Sequence, residues 1–232
     1  MVKTQIADAL RERILQGDLQ PGEIISETQW GQRLGAAQAS VREAINLLVT
    51  EGLVRKEPGR SARVTSLTRE DVAQAYQVRE VLEGLAARLL ARQNADLSSL
   101  EAAIEAMREA ALKGDLRATI EADLTFHLRL CELPGNSFLS QQARQLLIPV
   151  FAFTMIRAIA EESPAQAWVE SIGDHSLILA GIRSADPAFA EQSARHAIGK
   201  FVSIAHEVWA AGAPNSRLRQ SAVKAPERLE SI

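Results

Sequence analysis

The segment from Leu34 to Val64 constrains the fold of this chain more than any other part of its sequence. It combines an amphipathic helix carrying Arg42, a turn at Glu51-Gly52, a short apolar strand, a basic hairpin tip at Pro58-Gly59-Arg60 and a second strand. Glycine permits the tight turn that such a tip needs. A helix, a turn and a basic β-ribbon in this order predict a winged helix-turn-helix, which can present a helix to a major groove while its wing contacts phosphates.

The rest of the chain has the pattern of long helices. Aromatic residues make up only 4% of the composition, and no segment after Val64 alternates with the period of a strand. Capping and turn residues predict helices near 69–92, 98–112, 116–132, 138–161, 165–183 and 187–210. We therefore expect a mainly α protein, with the winged helix-turn-helix at 1–66, an antiparallel all-helical bundle at 67–212 and a flexible tail at 213–232.

The cysteine content favours a cytoplasmic chain. The charge distribution favours DNA contact by a local group of basic residues rather than by a strongly basic domain. The net charge is −3, but residues 1–65 hold nine Lys/Arg and eight Asp/Glu, and their later part is basic. A single cysteine forms no intrachain disulfide, which is typical of a reducing compartment. The first fifteen residues form an amphipathic helix rather than a signal sequence, and no apolar run is long enough for a membrane span.

Several separated motifs of the first sixty residues agree with one known family in order and spacing. They are Ile14-Leu15-Gln16-Gly17, Pro21-Gly22, Leu34-Gly35, Val41-Arg42-Glu43-Ala44-Ile45 and Glu51-Gly52-Leu53-Val54. In these motifs the chain resembles the DNA-binding domain of the GntR family of bacterial transcription regulators. The resemblance implies a double-stranded DNA operator as partner. The residues assigned to that contact are Gln38, Ser40, Arg42, Arg55, Lys56, Gly59 and Arg60.

The start of the recognition helix departs from the family pattern. Where the family usually has Ser-Arg-Thr-Pro, this chain has Ala37-Gln38-Ala39-Ser40. An alanine in the capping position forfeits about 1 kcal/mol, and Gln38 either pairs with adenine or contributes little. The alternative to DNA binding is a winged helix that serves only protein contact or dimerisation. For Arg55 and Lys56 taken singly, the alternative is that they are solvated strand residues.

Three histidines and one aspartate of the helical half have the positions of metal ligands. Asp123 and His127 are spaced i, i+4 on one helix face, while His175 and His196 lie on two later helices. Side chains from three helices can converge inside a bundle and hold a metal ion. From spacing alone, they could equally be hydrogen-bonded polar residues of the core or surface.

From about Thr68 to Trp209 the chain resembles the ligand-binding (FCD) domain of the FadR-type branch of the GntR family. The resemblance implies a divalent metal, zinc before nickel or manganese, held by Asp123, His127, His175 and His196. It also implies that Arg79 faces the cavity and pairs with the carboxylate of an effector. The alternative for Arg79 is a surface ion pair with Glu83 at i+4.

Three further residues have open or structural interpretations. Cys131 lies one turn beyond His127 and is interpreted as a small buried hydrophobe rather than a ligand. Asp174 either orients a ligand or faces solvent, and His206 is interpreted as structural.

These patterns predict a ligand-responsive transcription regulator, a homodimer and not an enzyme, with a small organic acid as effector. One alternative is a metal-dependent hydrolase, which is disfavoured because no buried glutamate beside the ligands stands out as a general base. The other is a pure metal sensor, in which the ion itself is the signal.

Overall fold

The chain forms two compact units, the first ending at Ser66 and the second beginning at Leu67. This computed structural model describes residues 2–160 and 165–210, without the side chains of 157, 159, 160, 165–171 and 201–210. The tail expected at 213–232 lies outside the described residues. Within these ranges, no helix combines the length and the apolar character needed to cross a membrane.

The first unit is a winged helix-turn-helix, as predicted. Its elements are α1 (Val2–Leu15), β1 (Ile24–Ile25), α2 (Glu27–Leu34), α3 (Gln38–Thr50), β2 (Val54–Arg55) and β3 (Ala62–Val64). The strands form an antiparallel sheet in the order β1-β3-β2, and the loop between β2 and β3 is the wing. In this sheet Ile25 pairs with Ala62, and Val54 pairs with Val64.

An apolar stripe on α1 builds the core of this unit. Ile6, Leu10 and Ile14 recur at helical spacing and are buried, and α1 packs against α3. From α3, Val41 and Ile45 are buried on the same principle. The opposite face of α3 is left exposed, as a helix that enters a groove requires.

The turn between α2 and α3 has one well-capped helix end and one uncapped helix start. Ser26 caps α2 by accepting a hydrogen bond from the Gln29 backbone, and Gly35 ends this helix at a φ of 60°. Ala37 precedes α3 without any side-chain capping bond. The first turn of α3 therefore lacks the side-chain acceptor that serine would supply.

The second unit consists of six helices, each of whose bounds lies within one residue of the predicted one. They are α4 (Arg69–Gln93), α5 (Ser98–Leu112), α6 (Leu116–Glu132), α7 (Ser137–Ala160), α8 (Ala165–Arg183) and α9 (Pro187–Ala210). A complete capping box begins α4, because Thr68 and Asp71 each accept a hydrogen bond from the backbone of the other.

The long helix α4 is the centre of this unit and packs against α6, α7, α8 and α9. Helices α8 and α9 approach closely at Gly181. A Cβ atom added at this position would lie only 2.8 Å from the Cβ of Ser193. This arrangement places the inner faces of α4, α6 and α8 around one buried region. Among the described side chains, the buried ionisable residues of that region are Arg79, Glu83, Asp123, His127 and His175.

Candidate metal centre and nucleic-acid interface

The residues predicted to contact DNA lie on α3 and in the wing. Ser40 is half-buried, and the others are exposed, namely Gln38, Arg42, Arg55, Lys56, Gly59 and Arg60. At the tip of the wing Gly59 has a φ of 73°, a conformation in which a side chain would be strained. Its predicted role in the wing turn agrees with this geometry.

One carboxylate connects the recognition helix with the wing. Glu27, the first residue of α2, accepts hydrogen bonds from Arg42 Nε at 2.9 Å and from Lys56 Nζ at 3.0 Å. Partial burial raises the pKa of Glu27, but the hydrogen bonds from these two cations outweigh burial and lower the pKa below its ordinary value. Sequence reasoning did not single out Glu27, because residues 15 and 29 positions apart meet only in the folded unit.

Three of the four predicted metal ligands meet in the second unit. Asp123 Oδ1 lies 2.8 Å from His175 Nε2 and 3.0 Å from His127 Nε2. The two imidazole nitrogens are 3.3 Å apart. All three side chains are buried, so the two histidines and the aspartate form a compact triangle of potential donor atoms.

This triangle has the dimensions and chemistry of a metal site. Zinc binds imidazole nitrogen and carboxylate oxygen at about 2.0–2.2 Å, which places tetrahedral donors roughly 3.3 Å apart. The observed separations of 2.8, 3.0 and 3.3 Å are of this size. Imidazole also suits nickel, and carboxylate suits manganese. The residues present therefore fit a divalent ion with three protein donors.

Glu83 on α4 joins the cluster, although sequence reasoning assigned it no site role. One of its oxygens accepts a hydrogen bond from Arg79 Nε at 2.8 Å, and the other accepts one from His127 Nδ1. With Nδ1 donating to Glu83, Nε2 of His127 faces Asp123 Oδ1, so the space between them suits either a proton on Nε2 or a metal ion. The only signal in the sequence was the i+4 spacing from Arg79, which does not reveal burial.

The charges of the cluster stabilise one another. Burial raises the pKa of Asp123, but the neighbouring His175 and His127 outweigh burial and lower the pKa well below its ordinary value. Burial likewise raises the pKa of Glu83, and Arg79 and His127 bring it below the ordinary value. Burial lowers the pKa of His127, yet the charge of Glu83 produces a net upward shift. Both carboxylates are therefore ionised at neutral pH and attract positive charge.

Arg79 is buried and has one hydrogen-bonding nitrogen left over. Its guanidinium lies 4.6 Å from the ring centre of Tyr76 and 4.9 Å from that of Phe151, and its Nε donates to Glu83. Its Nη2 has no hydrogen-bond partner among the described residues. The i+4 ion pair with Glu83 does form, but in the core and not at the surface. A buried donor without a partner costs about 1–3 kcal/mol, which makes this nitrogen a candidate ligand contact.

The structure does not bring His196 to the cluster. Its side chain is exposed on α9, whereas the neighbouring Ala197 is fully buried together with Ala194 and Ile198. Consecutive residues of a helix differ in direction by about 100°, so His196 faces away from the buried side. Among the described residues, the metal-type group is limited to the two histidines and the aspartate named above.

The remaining candidates lie outside this group. Cys131 is buried, and burial raises the pKa of its thiol, which keeps it protonated and suits a small hydrophobe. Asp174 accepts a hydrogen bond from Lys200 Nζ at 2.7 Å and so links α8 with α9. The side chain of His206 lies outside the described residues.

Comparisons with known sequences agree with this architecture. Residues 2–64 match the family described as bacterial regulatory proteins, gntR family, and residues 74–200 match the FCD domain. The chain is 30% identical over 202 residues to the "Probable D-xylose utilization operon transcriptional repressor" of Paenarthrobacter nicotinovorans, an alignment covering 87% of each chain. It is 26% identical over 185 residues to the gluconate operon transcriptional repressor of Bacillus licheniformis, covering 78% of this chain and 76% of that one.

Solved structures show the same fold. McbR/YncC of E. coli superposes with a TM-score of 0.73 at 20% identity, covering 89% of this chain and 98% of that one. Lar of Listeria monocytogenes superposes with a TM-score of 0.64 at 17% identity, covering 89% and 97%. The FCD domain model matches more than half of this chain, and a gntR-type DNA-binding domain precedes that match. This chain therefore belongs to the GntR family of transcriptional regulators.

Proposed function

We propose that this regulator binds a divalent metal ion and a small carboxylate effector in its FCD domain, and a DNA operator with its winged helix. The observation that carries the effector is the buried Nη2 of Arg79, which lacks a partner among the described residues and belongs to the same cluster as three metal-type donors. A ligand carboxylate would satisfy this nitrogen, because guanidinium groups bind carboxylates through strong charge-assisted hydrogen bonds.

Asp123, His127 and His175 would hold the ion, with zinc as the first candidate and nickel or manganese as the others. Three protein donors leave a tetrahedral ion with one open position. When bound, the ion supplies positive charge and a coordination position for an oxygen atom of the effector. The exposed position of His196 supports this view, because His196 then does not compete for that position.

Charge balance within the cluster favours an anionic effector. Among the described side chains of the cluster, with both histidines neutral, Glu83 and Asp123 outnumber Arg79 by one negative charge. A divalent ion changes this excess to one positive charge, which a single carboxylate would neutralise. Since buried charge is costly unless it is paired, the metal-loaded cluster is matched to a small monocarboxylate.

The buried Glu83 does not favour the hydrolase alternative. Both of its oxygens accept hydrogen bonds, from Arg79 and His127, and these partners hold its pKa below the ordinary value. A general base works best with a pKa near the operating pH. Glu83 is therefore suited to holding its two neighbours in place rather than to removing a proton from water.

The effector would act on a homodimer in the cytoplasm. Helix-turn-helix dimers bind paired half-sites, so their two reading heads must be correctly spaced. An exposed apolar stripe on α4, formed by Val78, Val81 and Leu85 at i, i+3 and i+7, supports self-association. The effector changes the spacing of the two DNA-binding domains only if it binds two conformations of the dimer with different affinity. Sedimentation velocity of the full chain measures the stoichiometry.

Calorimetric titration of the zinc-loaded full chain tests the effector site. D-gluconate and other small hydroxycarboxylates are the first probes, since one relative is a gluconate operon repressor. Arg79→Lys keeps the charge but loses the planar fork, and we expect it to weaken binding by roughly 10-fold or more. Arg88→Gln on the same helix, whose guanidinium pairs with Glu191 at the surface, is the matched control.

Two results would contradict the proposal. The first is a wild-type chain that retains no zinc and binds none of the carboxylates. The second is an Arg79→Lys chain that binds the same acid as tightly as the wild type while the Arg88→Gln control behaves normally.

A further inference from the structure

We propose that Glu27 positions Arg42 and Lys56, so that the recognition helix and the wing engage the operator as one prearranged unit. The inference rests on the proposed role of these two cations as DNA contacts. Its physical basis is that a single carboxylate of α2 accepts hydrogen bonds from both, at 2.9 Å and 3.0 Å.

The bond to Glu27 leaves the DNA-binding edge of Arg42 available. Glu27 engages only Nε, and the Arg42 side chain is 55% exposed. A guanidinium held at Nε can still present its two terminal nitrogens to a guanine or a phosphate. Lys56 likewise keeps two of its three donor hydrogens when one is directed at Glu27.

Glu27 is well placed to act as a fixed support. Its side chain is only 18% exposed, less than either cation, and it belongs to the first turn of a helix capped by Ser26. Long side chains lose rotamer freedom when they bind, which weakens binding. Holding Arg42 and Lys56 before DNA arrives reduces this loss, and it also fixes the distance between helix and wing.

The charge of Glu27 alone would have the opposite effect. Removing a negative charge beside two cations increases the attraction to any DNA duplex, irrespective of its sequence. If Glu27 instead positions Arg42 and Lys56, its removal weakens binding to the selected DNA sequence and not to others. Glutamine keeps the shape of the Glu27 side chain, and both cations paired with it remain in contact with solvent. The replacement therefore separates these two effects at little cost to the folding stability of the winged helix-turn-helix.

Fluorescence anisotropy of the full chain tests the inference with two duplexes at several salt concentrations. One duplex is selected from a random pool by the wild-type protein, and the other is a scrambled sequence of the same composition. We expect Glu27→Gln to bind the selected duplex about 10-fold more weakly, and the scrambled duplex at least as tightly as the wild type. Glu43→Gln removes the same charge from α3, where its carboxylate pairs with Lys3 at 3.2 Å, and should alter both duplexes equally.

A double-mutant cycle with Arg42→Ala provides the second readout. If Glu27 acts in part through Arg42, Glu27→Gln weakens binding of the selected duplex by a smaller factor in the Arg42→Ala background than in the wild type. A Glu27→Gln chain that gains or loses affinity by the same factor on both duplexes overturns the positioning role. An Arg42→Ala chain with unchanged affinity for the selected duplex shows instead that the underlying DNA contact is misassigned.

Discussion

Glu83→Gln removes one buried charge while keeping the shape of the side chain. In the native chain the two carboxylate oxygens accept hydrogen bonds from Arg79 Nε and His127 Nδ1. A glutamine has only one acceptor oxygen, so its amide NH2 group must face one of these two donors. In either orientation Arg79 loses its negative partner, and in one of them His127 also loses the bond that fixes its tautomer.

The expected effects are large because both partners are buried. Removing one member of a buried ion pair costs about 3–5 kcal/mol. At about 2–4 °C per kcal/mol for a chain of this size, the Tm of the metal-free protein should fall by roughly 6–20 °C. Loss of the partner that orients a metal-binding histidine lowers metal affinity about 10–100-fold, so zinc binding should weaken by about 1.4–2.8 kcal/mol.

Two measurements check these values separately. Thermal unfolding of the metal-free chain, followed by circular dichroism, reports the ion pair. Competition with a zinc-binding dye reports the metal affinity. Glu70→Gln in the first turn of the same helix is the control, because the Glu70 carboxylate accepts only an exposed hydrogen bond from Gln74. A Glu83→Gln chain with the Tm and the zinc affinity of the wild type would refute the assigned role of this carboxylate.

Three further predictions follow from the same structure. His175→Ala should strip zinc from the purified chain while His196→Ala retains it, as elemental analysis would show; equal losses would place His196 in the site after all. Zinc affinity should rise with pH through the range where His127 titrates, because its raised pKa lets the metal-free site hold a proton that zinc must displace; a flat profile in calorimetry would contradict this. Ala37→Ser should add a capping bond to α3 and stabilise the reading head by about 1 kcal/mol, and an unchanged unfolding free energy in denaturant titrations would argue against it.

The order and type of the elements could be predicted from the sequence, because the signals that determine them are local. The buried stripe of α1, the capping box at Thr68 and Asp71 and the glycine of the wing each act over a few residues. Such signals do not depend on distant parts of the chain. This is why the winged head and the bounds of the six later helices were predicted correctly.

The composition of the site depended on contacts that no local pattern contains. His196 has the residue type of a ligand, but the packing of α9 turns Ala197 inward and leaves His196 exposed. The i+4 spacing of Arg79 and Glu83 is also that of an ordinary surface ion pair. Only the packing of other helices around α4 buries this pair. The sequence by itself determined a winged helix-turn-helix followed by a helical bundle. Only the tertiary structure decided which helix faces meet, and therefore which charges are buried together and which donor is left for a ligand.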